Sequence, residues 1–269
     1  MKQMHINDLR SLFAVVFFLC LTMPSFTHGA GGGHATIPNN DKSAAWRYEG
    51  ELGQTNWASL SEAYAECQSG TRQSPVDIRG ARFAHLPPLK FNYRTSMLSI
   101  HRKPNQLWLD YDSGSSLTIG GRRYRFLGFD FHTPGEHSFR SKVSDMEIHL
   151  HHLSANGEPL IVALPVNGGH RKNFTLTRIW ENVPDGPTNR RRNRRAGINA
   201  MFLLPTDRSY YLYQGSETRP PCTEGVEWVV FKTPIRVSWD EIERFKSLIG
   251  SNARSVQPLN NRPILMSAR

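Results

Sequence analysis

Two stretches decide how this 269-residue chain folds: Arg125-Phe126-Leu127-Gly128-Phe129-Asp130-Phe131-His132 and Glu147-Ile148-His149-Leu150-His151-His152. Successive side chains of a β-strand point to opposite faces. The first stretch therefore puts Gly128, Asp130 and His132 on one face and turns Leu127, Phe129 and Phe131 into a core. The second groups Glu147, His149 and His151 in the same way. If the two strands are antiparallel neighbours with these faces aligned, Asp130, His132 and His149 surround one point. Imidazoles and a carboxylate are zinc ligands, and three of them leave the open position that a catalytic site requires. The plainer reading is that paired strand histidines are ordinary polar residues of a sheet.

Outward from these strands the chain keeps one texture. Short β-branched and aromatic runs lie between Gly, Pro, Asn and Asp: Gln106–Tyr111, Ser116–Ile119, Tyr124–His132, Glu147–Leu153, Leu160–Pro165, Tyr210–Gln214 and Val226–Phe231. One helix is signalled, by Ser238 followed by Glu241, a capping box, with Ile242, Phe245, Leu248 and Ile249 on one face. There is no internal repeat and no second linker after Trp46. The expected fold is mostly β (α+β), a single domain over 44–269 with a few short helices.

The N-terminal residues differ. Lys2 and Arg10 precede or open an apolar run from Leu12 to Leu21, and Thr27-His28-Gly29 offers a cleavage site, so residues 1–29 read as a secretory signal peptide. That run is short of the roughly 20 residues of a membrane span, and no other stretch approaches that length, so no transmembrane span is expected in the mature protein. Residues 30–43 read as a flexible leader. Export places the protein in a periplasm or outside the cell. There Cys67 and Cys222, the two cysteines beyond the signal, pair by default; two independent buried thiols are the alternative.

Charge says less than its total suggests. Thirty-three Lys and Arg face 23 Asp and Glu, a net +10. Arg190, Arg191, Arg192, Arg194 and Arg195 supply five of those charges within six residues, in a tract, Val183–Asn199, whose Pro and Gly mark an exposed excursion. Such a run can contact a polyanion, but no aromatic is interleaved for base stacking, so nucleic acid is not expected as a partner. Asn173-Phe174-Thr175 is a glycosylation sequon.

At this point whole phrases become specific. Trp46-Arg47-Tyr48, Gln73-Ser74-Pro75-Val76-Asp77-Ile78, Phe129 to His137, Met146 to Leu150, Leu203-Leu204-Pro205, Gly215 to Cys222, Trp228 and Asn260-Asn261-Arg262-Pro263 occur in this order. In these the chain resembles the α-class carbonic anhydrases, from about Trp46 to Pro263. The resemblance implies a large, mainly antiparallel central sheet and a Cys67–Cys222 disulfide. It also implies reversible hydration of carbon dioxide to bicarbonate by a zinc-bound hydroxide. The metal ligands fall on Asp130, His132 and His149. Glu147 matches a carboxylate supporting a ligand from behind, Thr218 the hydroxyl that accepts from the hydroxide, and Glu136 the acid that orients it. Tyr48 matches a tyrosine of the water network, and the usual proton-shuttle histidine aligns near Asn105, leaving His101 or buffer to substitute. Glu217, Arg219 and Trp228 fall in the substrate pocket.

The departures qualify the activity. Asp130 stands where the family has a histidine, and Gly128 where a glutamine buttresses it. A carboxylate lowers the charge of the ligand set by one and so acidifies metal-bound water less. Glu217 replaces an apolar wall residue and Arg219 a small one; they can pair with each other, or Arg219 can grip an anion. The expectation is a carbonic anhydrase of reduced activity, with a catalytically inactive, carbonic anhydrase-related binding protein as the alternative. Asp130→His, on this reading, raises metal affinity and activity.

Overall fold

In the computed structural model the two histidine-bearing stretches are antiparallel neighbours, Arg122–His132 against Met146–Ser154, with Asp130 opposite His149, His132 opposite Glu147 and Gly128 opposite His151. The structure describes residues 44–186 and 189–268. The expected signal peptide and leader lie outside the described residues, as do residues 187 and 188 of the Val183–Asn199 tract.

These two strands lie in a thirteen-stranded sheet. On one side Arg122–His132 pairs with Gln106–Asp110, which pairs with Ser96–Lys103, and that with the edge strand Arg190–Ile198, all antiparallel. On the other side Met146–Ser154 pairs with Pro159–Gly169. There the sheet becomes mixed, because Pro159–Gly169 runs parallel to both Glu224–Phe231 and Ile235–Ser238. Tyr210–Ser216 then follows antiparallel to Glu224–Phe231. Every strand expected from the sequence is present within a few residues of its expected limits. The capping box closes as expected: the Ser238 hydroxyl accepts from the Glu241 amide, and the Glu241 carboxylate accepts from the Ser238 amide, opening the helix Trp239–Ile249.

Two local expectations need correction. Strict alternation put Leu127 in the core, but a β-bulge opposite His151/His152 shifts the register, and Phe126 takes the core position beside Phe129 and Phe131. A bulge inserts one residue into one strand and reverses the facing of those beyond it. The second correction concerns the arginine tract. Arg190–Ile198 is a strand, not a loop, and its five arginines are exposed along the sheet's edge. Fixed charge on an edge discourages a further strand from adding there.

The sheet's two faces are buried differently. Leu98, Ile100, Leu107, Leu109, Phe129, Phe131, Ile148 and Leu150 belong to one apolar cluster, with the helices Phe174–Trp180 and Trp239–Ile249 contributing Leu176, Ile179, Ile242 and Phe245. Asp130, His132 and His149 are buried to within 3% on the opposite face. The Cys67–Cys222 disulfide is present, spanning 155 residues and packed with Tyr48 and Trp57. Among the described residues no helix is long and apolar enough to cross a membrane.

Candidate metal centre

The cross-strand register brings donor atoms of Asp130, His132 and His149 within 4.8 Å of one another. The proton inventory then fixes which nitrogens face inward. His132 Nδ1 lies 2.9 Å from the backbone carbonyl of Asn252. A carbonyl only accepts, so Nδ1 carries the hydrogen and Nε2 presents a lone pair. His149 Nε2 donates to Glu147 Oε1 at 2.6 Å, which leaves Nδ1 free. Both imidazoles are thus oriented and held in the tautomer that a metal needs, by partners behind them.

Glu147 anchors a longer chain. The same Oε1 accepts from His137 Nδ1 at 2.7 Å, Tyr213 lies 2.7 Å from His137 Nε2, and Ser74 lies 2.9 Å from the Tyr213 hydroxyl. Burial would raise the Glu147 carboxyl, but His137 and His149 outweigh it and hold it far below the carboxylate range. Burial and the nearby His132 push the His149 imidazole down to about 3, so it is neutral. Burial lowers His132 too, but Glu136 and Asp130 overcome it and raise this imidazole.

Asp130 is held differently. Its Oδ2 accepts from Arg219 at 2.6 Å and from Gln106 at 2.8 Å, and its Oδ1 from His151 Nε2 at 2.9 Å. Burial opposes ionisation, but His151 and Arg219 keep the carboxyl well below its usual range. Arg219 lies 5.9 Å over the Trp108 ring, and Gly128 makes room for that ring. A Cβ at 128 would fall 2.7 Å from Trp108 and 2.2 Å from the Leu109 carbonyl oxygen. Gly128, Trp108 and Arg219 are therefore packed as one group beside the carboxylate.

The donor set passes a distance test for zinc. Ligand atoms about 2.0–2.1 Å from a tetrahedral ion stand about 3.4 Å apart, and His132 Nε2 lies 3.8 Å from Asp130 Oδ1. A carboxylate has about four lone-pair positions, so Oδ1 keeps one beside its bond from His151. The residues fit the ion. Around them His151, Ile161, Glu217, Thr218 and Arg219 close a cavity of about 10 Å³, room for about one water.

The remaining expected residues divide. Thr218 is buried in the cavity wall beside Glu136, whose Oε1 accepts from the Arg254 amide at 2.7 Å. Tyr48 is packed between Trp46 and Trp57, within electrostatic reach of Glu136 and Arg219. Trp228, Asn105 and His101 do not line that cavity. Trp228 packs against the His149 ring at 4.9 Å, outside the cavity wall. Asn105 donates to the Trp46 carbonyl at 2.6 Å, and His101 lies 2.5 Å from Asp110, so both are engaged outside the cavity. Arg219 pairs with Asp130, and Glu217 influences it only through a longer-range field. Gln106, Trp108 and His151 were not expected at the site. Strand alternation already put His151 on the right face, whereas Gln106 and Trp108 belong to a neighbouring strand whose register the sequence does not show.

The large mixed sheet thus carries a candidate metal centre of two histidines and one carboxylate. Residues 52–268 match the model of the eukaryotic-type carbonic anhydrases. A carbonic anhydrase of Neisseria gonorrhoeae is 34% identical over 95% of this chain and 98% of its own length. A hyperthermostable carbonic anhydrase from a hydrothermal vent chimney superposes with a TM-score of 0.80 at 36% identity, over 83% of this chain and all of its own. That of Thermovibrio ammonificans, solved with the inhibitor sulfanilamide, gives 0.79 at 35%, over 82% and 99%. The chain belongs to the eukaryotic-type, or α, carbonic anhydrase family.

Proposed function

We propose that the protein is an exported, zinc-dependent carbonic anhydrase, with Asp130, His132 and His149 as the metal ligands and a rate below that usual for the family. The convergence of two lone-pair-presenting imidazoles and one carboxylate carries this reading. Bound zinc would acidify a water and so supply the nucleophile for carbon dioxide. Glu147 and the Asn252 carbonyl each accept one imidazole N–H, which aims the other ring nitrogen of His149 and of His132 at the site. Thr218 and Glu136 form a polar pair at the cavity wall: a hydroxyl that gives its hydrogen to a carboxylate has only acceptor positions left for an incoming O–H. Glu217 and Arg219 make the substrate side of the cavity polar and narrow, which supports a reduced rate, since an apolar wall suits carbon dioxide better.

The alternative, a binding protein without hydratase activity, draws on one observation: Asp130 already has a cation, Arg219, as its partner. Carbon dioxide hydration by the purified protein, read by stopped flow with and without a sulfonamide, separates the two. Sulfonamide-sensitive hydration above the buffer rate is expected; a rate equal to buffer with zinc supplied overturns the enzymatic reading. The export step is tested by N-terminal sequencing of the mature protein, expected to begin at about residue 30.

A further inference from the structure

We propose that Arg219 is a charge-compensating partner of Asp130, so that the two together take the place of one neutral histidine in the ligand set. The inference rests on Asp130, His132 and His149 being the metal ligands. A buried carboxylate brings one negative charge to a ligand set whose two imidazoles are neutral once they coordinate a metal. The Arg219 guanidinium, 2.6 Å from Oδ2 with its side chain only 18% exposed, brings one positive charge to the same point. Their sum is the charge of an imidazole.

The pair also sets the shape of the site. Arg219 and Gln106 both occupy Oδ2, which turns Oδ1 towards His132. The guanidinium is in turn positioned by the Trp108 face, and Trp108 by its N–H bond to Asp110 at 2.9 Å and by the absence of a side chain at Gly128. Asp130, Arg219, Trp108 and Gly128 therefore depend on one another, and a single reversion breaks the balance.

This reverses the expectation drawn from sequence for Asp130→His. A histidine at 130 leaves the Arg219 charge uncompensated beside the cation site. Asp130→His alone is expected to bind zinc about 10- to 100-fold more weakly than the double variant Asp130→His/Arg219→Thr, the range seen when a partner behind a metal ligand is lost. Arg219→Thr alone leaves a buried carboxylate without its cation. It is expected to lower the melting temperature of the metal-free protein on the order of 10 °C, yet to enlarge the rise in melting temperature on adding zinc. A merely structural arginine would lower both. Arg219→Lys should recover part of the metal-free stability.

The experiment measures zinc affinity by chelator competition and melting temperature with and without zinc for the wild type and these four variants. Asp130→His binding zinc as tightly as the double variant, or Arg219→Thr melting like the wild type without metal, overturns the compensation. If the wild type binds no zinc, the ligand assignment fails. The metal-free melting temperatures of the single and double variants then still decide whether the two residues are coupled.

Discussion

At the scale of single residues the site is governed by where protons sit. Glu147 receives two imidazole N–H groups on one oxygen and is completely buried, so its charge fixes the tautomers of both His137 and His149. Glu147→Gln can present its amide nitrogen to His149 and disturb that tautomer. It is expected to weaken zinc binding by about 10- to 100-fold, measured by competition with a chromophoric chelator. His152, three positions beyond His149, has a different part. Its Nε2 lies 2.6 Å from the Tyr93 hydroxyl, and burial, aided by the charge of His151, pushes it down to about 3. An unfolded histidine protonates near 6.5, so between that pH and about 3 only the unfolded chain gains the proton. The stability His152 lends is complete above about pH 6.5 and is lost as the pH falls, by about 2–3 kcal/mol at pH 4.5. His152→Gln, which keeps an acceptor for Tyr93, should flatten this loss. Urea melts of the metal-free protein at pH 7 and pH 4.5 check it.

At the scale of elements, the strand pair that holds the site was legible because its period is two and its polar face carries unusual residues. What alternation misses is the bulge. One inserted residue at the strand's middle exchanged Leu127 for Phe126 in the core, and its local mark is Gly128, an isolated glycine inside the strand pattern. The sequence could not show that Gln106–Asp110 lies beside Arg122–His132, bringing Gln106 to Asp130 and Trp108 under Arg219. The arginine strand misled for a related reason: charge density imitates a loop, whereas here it lines an edge. Three of its arginines face acids, Arg190 with Asp110 at 3.0 Å and Arg191 and Arg192 with Asp185 and Asp112 at 3.9 Å. Arg194 and Arg195 have no acidic partner among the described residues. If the strand contacts a polyanion, these two carry it, and Arg194→Ser/Arg195→Ser should elute from heparin at clearly lower salt. Unchanged elution assigns the arginines to edge protection alone. Asn173, read as a sequon, caps the helix Phe174–Trp180 by accepting from the Thr175 and Leu176 amides.

At the scale of the whole molecule, family phrases far apart in the chain are brought into contact: the Ser74 amide donates to the Ser216 hydroxyl, and the Arg262 guanidinium donates to the Gln73 carbonyl. The Cys67–Cys222 bridge ties the segment bearing Tyr48 and Trp57 to the loop that bears Thr218 and Arg219. Closing a loop of this length stabilises by about 4–5 kcal/mol through the unfolded chain. The Cys67→Ser/Cys222→Ser variant should lose about that amount in denaturant melts, and zinc affinity should fall with it as the Arg219 loop loosens. The charges that decide function barely move the net +10: Asp130 and Arg219 cancel, and Glu217 stands at the cavity wall. Everything proposed for the site depends on Asp130, His132 and His149 holding one zinc ion. The most direct test is to strip the purified protein of metal and titrate zinc back while following carbon dioxide hydration. One zinc per chain is expected, with hydration rising in step and reaching its plateau at one equivalent; no zinc retained, or one equivalent bound with hydration still at the buffer rate, would refute the assignment.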